Sequence, residues 1–165
     1  IAIASISALA MNIFLPSLPS MAAYYNTTPS MMSLSVAIYL GASALLQLFS
    51  GPISDRIGRR PVILISLILF IIASLATIWA PNAETFLALR FVQAFAATTM
   101  VLSRAVVRDT VGKEAAASKI AYVTMGMAVA PMIGPGIGGY LDKYFGWQAI
   151  FALLAGLGLC IFILT

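Results

Sequence analysis

No histidine occurs in the 165 residues, and the single cysteine, Cys160, stands inside an apolar run. A lone thiol excludes an internal disulfide framework, and without histidine a Cys/His metal site is excluded as well. Charge is scarce: only 8% of the residues are Asp, Glu, Lys or Arg, where an ordinary soluble domain carries about 25%. Paired carboxylates and a nucleophile beside a base are also missing, which makes a membrane enzyme a distant reading. The net charge is only +4, and no basic stripe interleaved with aromatics points to nucleic acid. Nor does any segment alternate with period two, so a β-barrel is not expected.

What is abundant is apolar surface, 62% of the residues, with a mean hydropathy of +1.05. Such a chain has no polar skin to present to water, and the solvent it requires is a lipid bilayer. Crossing about 30 Å of hydrocarbon takes roughly 20 apolar residues at 1.5 Å each, and six stretches meet or approach that length. Helix 1 runs from Ile1 to about Leu18, where Pro16 and Pro19 bend or end it. Helix 2 starts at Thr28-Pro29, a capping residue followed by proline in the first turn, and continues to about Ile53. Helix 3 runs from Pro61 to Trp79, helix 4 from about Glu84 to Val107, helix 5 from about Ala115 to Tyr140, and helix 6 from Trp147 to Thr165. The chain opens without Met inside an apolar stretch and stops inside another. Residues 1–165 are therefore expected to be a six-helix domain of a longer polypeptide, truncated at both ends, and no signal peptide can be argued.

The cations are unevenly placed. Arg56, Arg59 and Arg60 stand between helices 2 and 3, and Arg104, Arg108, Lys113 and Lys119 around the 4–5 connection, whereas the other connections hold only Lys143. By the positive-inside rule the 2–3 and 4–5 connections face the cytoplasm, and so does the chain's N-terminal side. A short repeat accompanies this alternation. Gly51 to Arg56 and Gly138 to Lys143 both read Gly-x-x-x-Asp-cation, at equivalent places in two three-helix units of opposite orientation, the layout of an inverted repeat.

The most specific local signal is the run Gly51-Pro52-Ile53-Ser54-Asp55-Arg56-Ile57-Gly58-Arg59-Arg60-Pro61. It resembles, at every defining position, the loop between helices 2 and 3 of the major facilitator superfamily. The resemblance implies half of a twelve-helix transporter and a conformational gate. Gly51 would permit close helix approach, Gly58 a tight turn, and Asp55 would face a helix N-terminus of the other half. Arg56, Arg59 and Arg60 supply the cations, and Arg59 is expected to bridge Asp55 to Asp109 at the end of helix 4.

Arg90 lies within helix 4, where a cation near the middle of a membrane costs at least about 2.5–3.5 kcal/mol and ordinarily faces a polar cavity. Snorkelling toward the end near Glu84 is the other reading, since six residues span only about 9 Å. Arg90 and Gln93 resemble the family's helix-4 motif associated with proton transfer, with Ala94 in place of its usual glycine. Helix 5 carries Gly134-Pro135-Gly136-Ile137-Gly138-Gly139, similar to the family's antiporter signature through Gly134, Pro135, Gly138 and Gly139, although small residues at membrane helix seams also serve packing alone.

The end of helix 1, Asn12-Ile13-Phe14-Leu15-Pro16-Ser17-Leu18-Pro19, resembles the bicyclomycin and chloramphenicol resistance branch, with Asn12 where that branch usually carries an acid. A neutral amide can hydrogen-bond a substrate but cannot carry the coupling proton. On helix 2, Ser35, Tyr39, Ser43 and Gln47 follow at i+4 steps, either a cavity face or a set of inter-helix hydrogen bonds. Together these resemblances imply a drug/proton antiporter of a bacterial cytoplasmic membrane. It would be driven by a proton gradient without cofactor or metal, would move small drug-like amphipathic compounds, neutral or anionic ones included, and would be completed by a C-terminal six-helix half. A facilitator or symporter of a nutrient remains the alternative.

Overall fold

The computed structural model describes the backbone of residues 2–110 and 113–165, and their side chains apart from those of 113–117. The expected start of helix 1 at Ile1 and the side chain of Lys113 lie outside the described residues. Within them the secondary structure is helical and no strand forms. The elements are α1 (Ala2–Asn12), a 3₁₀ turn (Leu15–Ser17), α2 (Leu18–Tyr24), α3 (Pro29–Ile57), α4 (Arg59–Ile78), α5 (Ala83–Gln93), α6 (Ala96–Thr110), α7 (Lys113–Phe145) and α8 (Gln148–Leu164). Among the described residues five spans are long and apolar enough to cross a membrane: Ala2–Tyr24, Pro29–Ile57, Arg59–Ile78, Ala83–Thr110 and Ser118–Phe145. The sixth, Gln148–Leu164, is shorter at 17 residues. The chain is an all-α, multi-pass membrane protein.

Several boundaries differ from the sequence expectation, each for a local reason. Helix 1 does not stop near Leu18. Pro16 and Pro19 each fall in the first turn of a helical segment, where their missing N–H costs no bond, so the crossing resumes and reaches Tyr24. Helix 2 is capped as expected, Thr28 Oγ1 accepting from the Met31 amide at 3.3 Å. It passes Ile53 and runs to Ile57, with Pro52 inside. The reversal into α4 is then a single residue, Gly58, at φ +96°, a backbone conformation that glycine adopts freely. Helix 3 accordingly begins at Arg59, two residues before Pro61. Helix 4 starts under the Asn82 cap, whose Oδ1 accepts from the Thr85 amide at 2.8 Å. It breaks after Gln93 and resumes at Ala96.

α7 spans 33 residues with Pro131 and Pro135 inside it, a length of about 50 Å, and it carries the chain from the Asp109 end of the bundle to Asp142. There Asp142 accepts a hydrogen bond from Ser20 Oγ at 2.7 Å, so Lys143 lies at the end opposite Arg59, Arg60 and Arg108. Gly146, at φ +81°, turns the chain into α8. The core between these ends is apolar, built on Ile6, Ala10, Ile13, Phe14, Met32, Phe70, Phe86, Phe151 and Leu154. The outward faces of α3 and α7, including Leu45, Leu48, Phe49, Met132 and Ile133, are exposed and apolar, as lipid or a further apolar partner requires.

Candidate functional site

The break in the first crossing positions the site. Asn12 ends α1, and its amide nitrogen bonds back to the Ala8 carbonyl at 2.9 Å. Facing it, α3 presents Tyr39, Ser43 and Gln47. Together with Ser7, Met11, Met100 and Pro131 they line a cavity of about 440 Å³. The helix-2 stripe therefore divides. Tyr39, Ser43 and Gln47 reach the cavity, whereas Ser35 is fully buried and bonds its own helix at the Met32 carbonyl, 2.6 Å away. Tyr39 also satisfies the other reading of that stripe, since its hydroxyl lies 3.2 Å from both the carbonyl and the Oγ of Ser7 on α1. A somewhat larger recess of about 480 Å³ opens at the arginine end. Apart from Ser103, Thr110 and Thr165, its walls are aliphatic or belong to the charged cluster described below.

Behind the Tyr39 wall lies Arg90. It does not snorkel: its side chain is fully buried, with the guanidinium carbon 4.1 Å from the Phe14 ring centroid and 4.6 Å from that of Tyr39. Nη1 donates to Gln93 Oε1 at 2.7 Å and to the Ala10 carbonyl at 3.4 Å. Gln93 is held in turn, its Nε2 donating to Ser74 Oγ at 3.1 Å and Thr77 Oγ1 at 3.4 Å on α4. Arg90 and Gln93 thus form a buried polar chain adjoining the cavity and do not line it. Two donors of Arg90, Nε and Nη2, have no hydrogen-bond partner among the described residues, and no described carboxylate reaches it at ion-pair distance. Aromatic faces compensate part of this, since cation–π contacts strengthen where water is excluded.

At the charged end one arginine organises the turn. Arg59 Nη2 lies 2.6 Å from Asp55 Oδ1, its Nε lies 3.2 Å from Asp109 Oδ2, and its Nη1 donates to the buried Ser54 Oγ. The guanidinium bridges the end of α3 to the end of α6. Arg108 is a looser neighbour, 3.9 Å from Asp109, while Arg56 and Arg60 are exposed. These charges oppose the helix dipoles. Asp55 and Asp109 stand in C-terminal turns and Arg59 and Arg60 in an N-terminal one, and each such placement is worth roughly 0.3–1 kcal/mol in the unfavourable sense. At Gly51 a Cβ would meet open space. No close approach by another helix of the described chain requires it, and with Asp55, Arg59, Arg104 and Arg108 it borders an open recess.

The helix-5 glycines do have close neighbours. A Cβ on Gly138 would fall on the carbonyl oxygen of Ile13, and one on Gly134 would stand 3.2 Å from Leu9 Cδ1. Gly139 has ordinary clearance from Pro16, and Gly136 faces open space. Pro135 is accommodated within the continuous helix. The motif is thus a seam between α7 and the break in the first crossing, beside the cavity wall formed by Pro131. The sequence reading passed over Phe14, Ser7, Ser54, Ser74 and Thr77. The last two, with Ser66 the three hydroxyl residues of an otherwise apolar span, are the visible signal.

A sequence profile described as Major Facilitator Superfamily matches residues 1–165. The chain is 39% identical over 158 residues to a chloramphenicol resistance protein of Pseudomonas aeruginosa, which covers 93% of this chain and 37% of that protein. It is 34% identical to a bicyclomycin resistance protein homolog of Haemophilus influenzae over 90% of this chain and 38% of the relative. With the multidrug resistance protein MdtL of Vibrio parahaemolyticus it shares 31% identity, over 94% of this chain and 40% of the relative. The chain therefore spans about two fifths of the length of the curated relatives it matches.

Proposed function

The chain belongs to the major facilitator superfamily, and from that premise we propose that it is the N-terminal six-helix half of a drug exporter working by alternating access. The observation that carries this reading is the cavity bounded by Asn12, Tyr39, Ser43 and Gln47 at the break of the first crossing. A space of about 440 Å³ has the size of small-molecule sites, a few hundred cubic ångströms with few polar groups among apolar ones. The names of the relatives, resistance proteins for chloramphenicol, bicyclomycin and multiple drugs, support small amphipathic compounds as cargo.

In this reading the exposed faces of α3 and α7 meet a C-terminal half, and the open space at Gly51 receives one of its helices. Asp55, held by Arg59, then faces that helix and biases the equilibrium between inward- and outward-facing states. The paired motifs ending α3 and α7 support an inverted three-helix repeat. The cation asymmetry supports a cytoplasmic Arg59 end and N-terminal side, and the bacterial sources of the relatives support a bacterial cytoplasmic membrane. No carboxylate of the described residues borders the cavity, which supports an acid of the C-terminal half as carrier of the coupling proton, or a coupling that runs by another route. The facilitator alternative draws its support from Asn12, which cannot take up a proton. The tight seam of Gly138 on Ile13, resembling the antiporter signature, favours the exporter.

The test is uptake by the purified full-length protein in proteoliposomes. An imposed proton gradient is expected to drive accumulation of labelled chloramphenicol or another amphipathic drug above its equilibrium level. Equilibration without accumulation would select the facilitator, and no movement of any such compound would defeat the transport reading.

A further inference from the structure

Four serines of α3 are buried: Ser35, Ser43, Ser50 and Ser54. Three of them close on their own helix, each hydroxyl donating to the carbonyl three residues earlier: Ser35 to Met32 at 2.6 Å, Ser50 to Gln47 at 3.0 Å and Ser54 to Gly51 at 2.8 Å. Ser43 does not. It is 7% exposed, and its Oγ is buried without a hydrogen-bond partner among the described residues. Of the four, Ser43 is also the one that borders the cavity of about 440 Å³ at the break of the first crossing.

A serine bonded back to its helix spends its only donor on the backbone, whereas Ser43 keeps its donor. Serine has three staggered positions about the Cα–Cβ bond, so the unspent hydroxyl is free to turn to a partner that enters the cavity. A buried polar group is ordinarily paired, and a compound in that space is the partner this one lacks. Gln47 stands four residues on, on the same helix face, and borders the same cavity. Its side-chain amide likewise has no partner among the described residues. Their polar neighbours on the wall are engaged, the Tyr39 hydroxyl with Ser7 and the Asn12 amide nitrogen with the Ala8 carbonyl. The unspent groups of α3 therefore lie one turn apart, amid apolar Met11, Leu40, Ala97, Met100 and Pro131.

We propose that Ser43 and Gln47 are specificity-determining residues that hydrogen-bond a hydroxyl or amide group of the transported compound. The cavity then favours an apolar body that carries such a group over the same body without it. The inference rests on the transporter reading and deepens it by naming the chemical group recognised. It concerns two neutral side chains of α3 and is independent of the charge that the C-terminal half brings to the path. Selection follows from what the wrong compound leaves behind, since an analogue lacking the group strands the site's own polar atoms unpaired.

The probes are 2-naphthylmethanol and 2-ethylnaphthalene, neutral compounds of nearly equal size that differ by a hydroxyl in place of a methyl group. Their dissociation constants are measured by titration on the purified full-length protein in detergent. The ratio between the two is then compared across variants, a comparison in which partition into detergent cancels. Ser43→Ala should weaken naphthylmethanol about three- to tenfold, the worth of one buried hydrogen bond, and leave ethylnaphthalene unchanged. Gln47→Leu should act in the same direction, and the double variant should remove what discrimination remains. Ser35→Ala is the control, a buried serine of the same helix that is already satisfied and stands off the cavity, and it should leave the ratio as it is. A ratio unchanged in the double variant overturns the inference alone, as does equal weakening of both compounds, which would make Ser43 and Gln47 packing residues. Accumulation of chloramphenicol in proteoliposomes by a protein that binds neither naphthyl probe overturns it as well. Absence of probe binding together with no movement of any amphipathic drug defeats the transporter reading and this inference with it.

Discussion

The α-carbon of Gly138 rests against the carbonyl oxygen of Ile13, so closely that no side chain can be built between them. Ile13 is the first residue after α1, where the crossing breaks, and the approach leaves room for a Cα–H···O contact worth about half of an ordinary hydrogen bond in vacuum and about 0.5–1 kcal/mol net. Gly138→Ala should therefore push α7 off α1 and lower stability by about 1–3 kcal/mol, the usual cost of overpacking. Gly136→Ala, on the same helix but facing open space, should be neutral or stabilising by up to roughly 1 kcal/mol through helix propensity. Thermal unfolding of the detergent-solubilised full-length protein separates the two, and equal behaviour would show that the seam is not tight.

A different balance governs Arg59. Its partners Asp55 and Asp109 are 61% and 46% exposed as side chains, so each pair is worth only about 0–1 kcal/mol, and Asp55→Asn should barely move the melting temperature. It should instead slow turnover while leaving drug affinity within about twofold, because what it removes is a bias between two states separated by a few kcal/mol. Added salt should weaken the same contact in the wild type. Distances between spin labels at the ends of α3 and in the other half report the populations directly. An unshifted distribution in Asp55→Asn would leave the three charges as a surface ornament of the turn.

The crossings and the charged end were legible in the sequence because lipid demands long apolar runs and leaves loops as the only place for most cations. Helix ends were less so. In a bilayer every backbone group must be satisfied within its own segment, so α3 runs on past Pro52 to Ile57 and the first crossing resumes after Pro16, where proline rules learned in water end a helix. The break after Gln93 carries no proline or glycine signal; it follows the buried Arg90–Gln93 pair. At the site, Arg90 stands out in the sequence as a cation in an apolar helix, and the structure brings Asn12, Tyr39 and Gln47, from two separate sequence signals, to one cavity. Phe14 could not be read as its neighbour, nor Ser74 as the partner of Gln93, because contacts between crossings depend on helix rotation, which hydropathy does not encode when both faces are apolar.

Tyr25, just beyond the end of the first crossing, offers a pH-dependent reading. Burial, with Tyr24 adding, pushes its phenol up from 10.0 to about 12. A raised value for a group that is neutral when protonated means that the unfolded chain ionises first. The stabilising contribution is present below about pH 10 and is lost as pH rises toward 12. Alkaline stability profiles should fall across that window in the wild type and fall less in Tyr25→Phe. That variant also gives up the long 3.4 Å hydrogen bond to the Ala80 carbonyl, so the comparison is of slopes and not of absolute stability. Identical slopes would remove Tyr25 as the source.

Arg90 is retained against stability. It is a charge at zero exposure with two unpartnered donors, and replacing such buried ionic groups by apolar side chains of similar size is often neutral or stabilising by about 1–4 kcal/mol. Arg90→Met keeps the length and the contacts with Phe14 and Tyr39 but strands the Gln93 Oε1 that accepts from Nη1, a cost of about 1–3 kcal/mol. Pairing it with Gln93→Leu removes that orphan and leaves Ser74 and Thr77 to each other and to their helix, as Thr77 already bonds the Ala73 carbonyl at 2.7 Å. The double variant is expected to melt at or above the wild-type temperature while losing drug uptake, the trade between stability and activity that marks a residue held for function. Arg90→Lys is the complementary test. It retains the charge but not the flat fork that lies against two rings, so it should insert and fold with weakened transport. If the double variant instead melts many degrees lower with residual transport intact, Arg90 is a strut of the bundle and its charge is incidental.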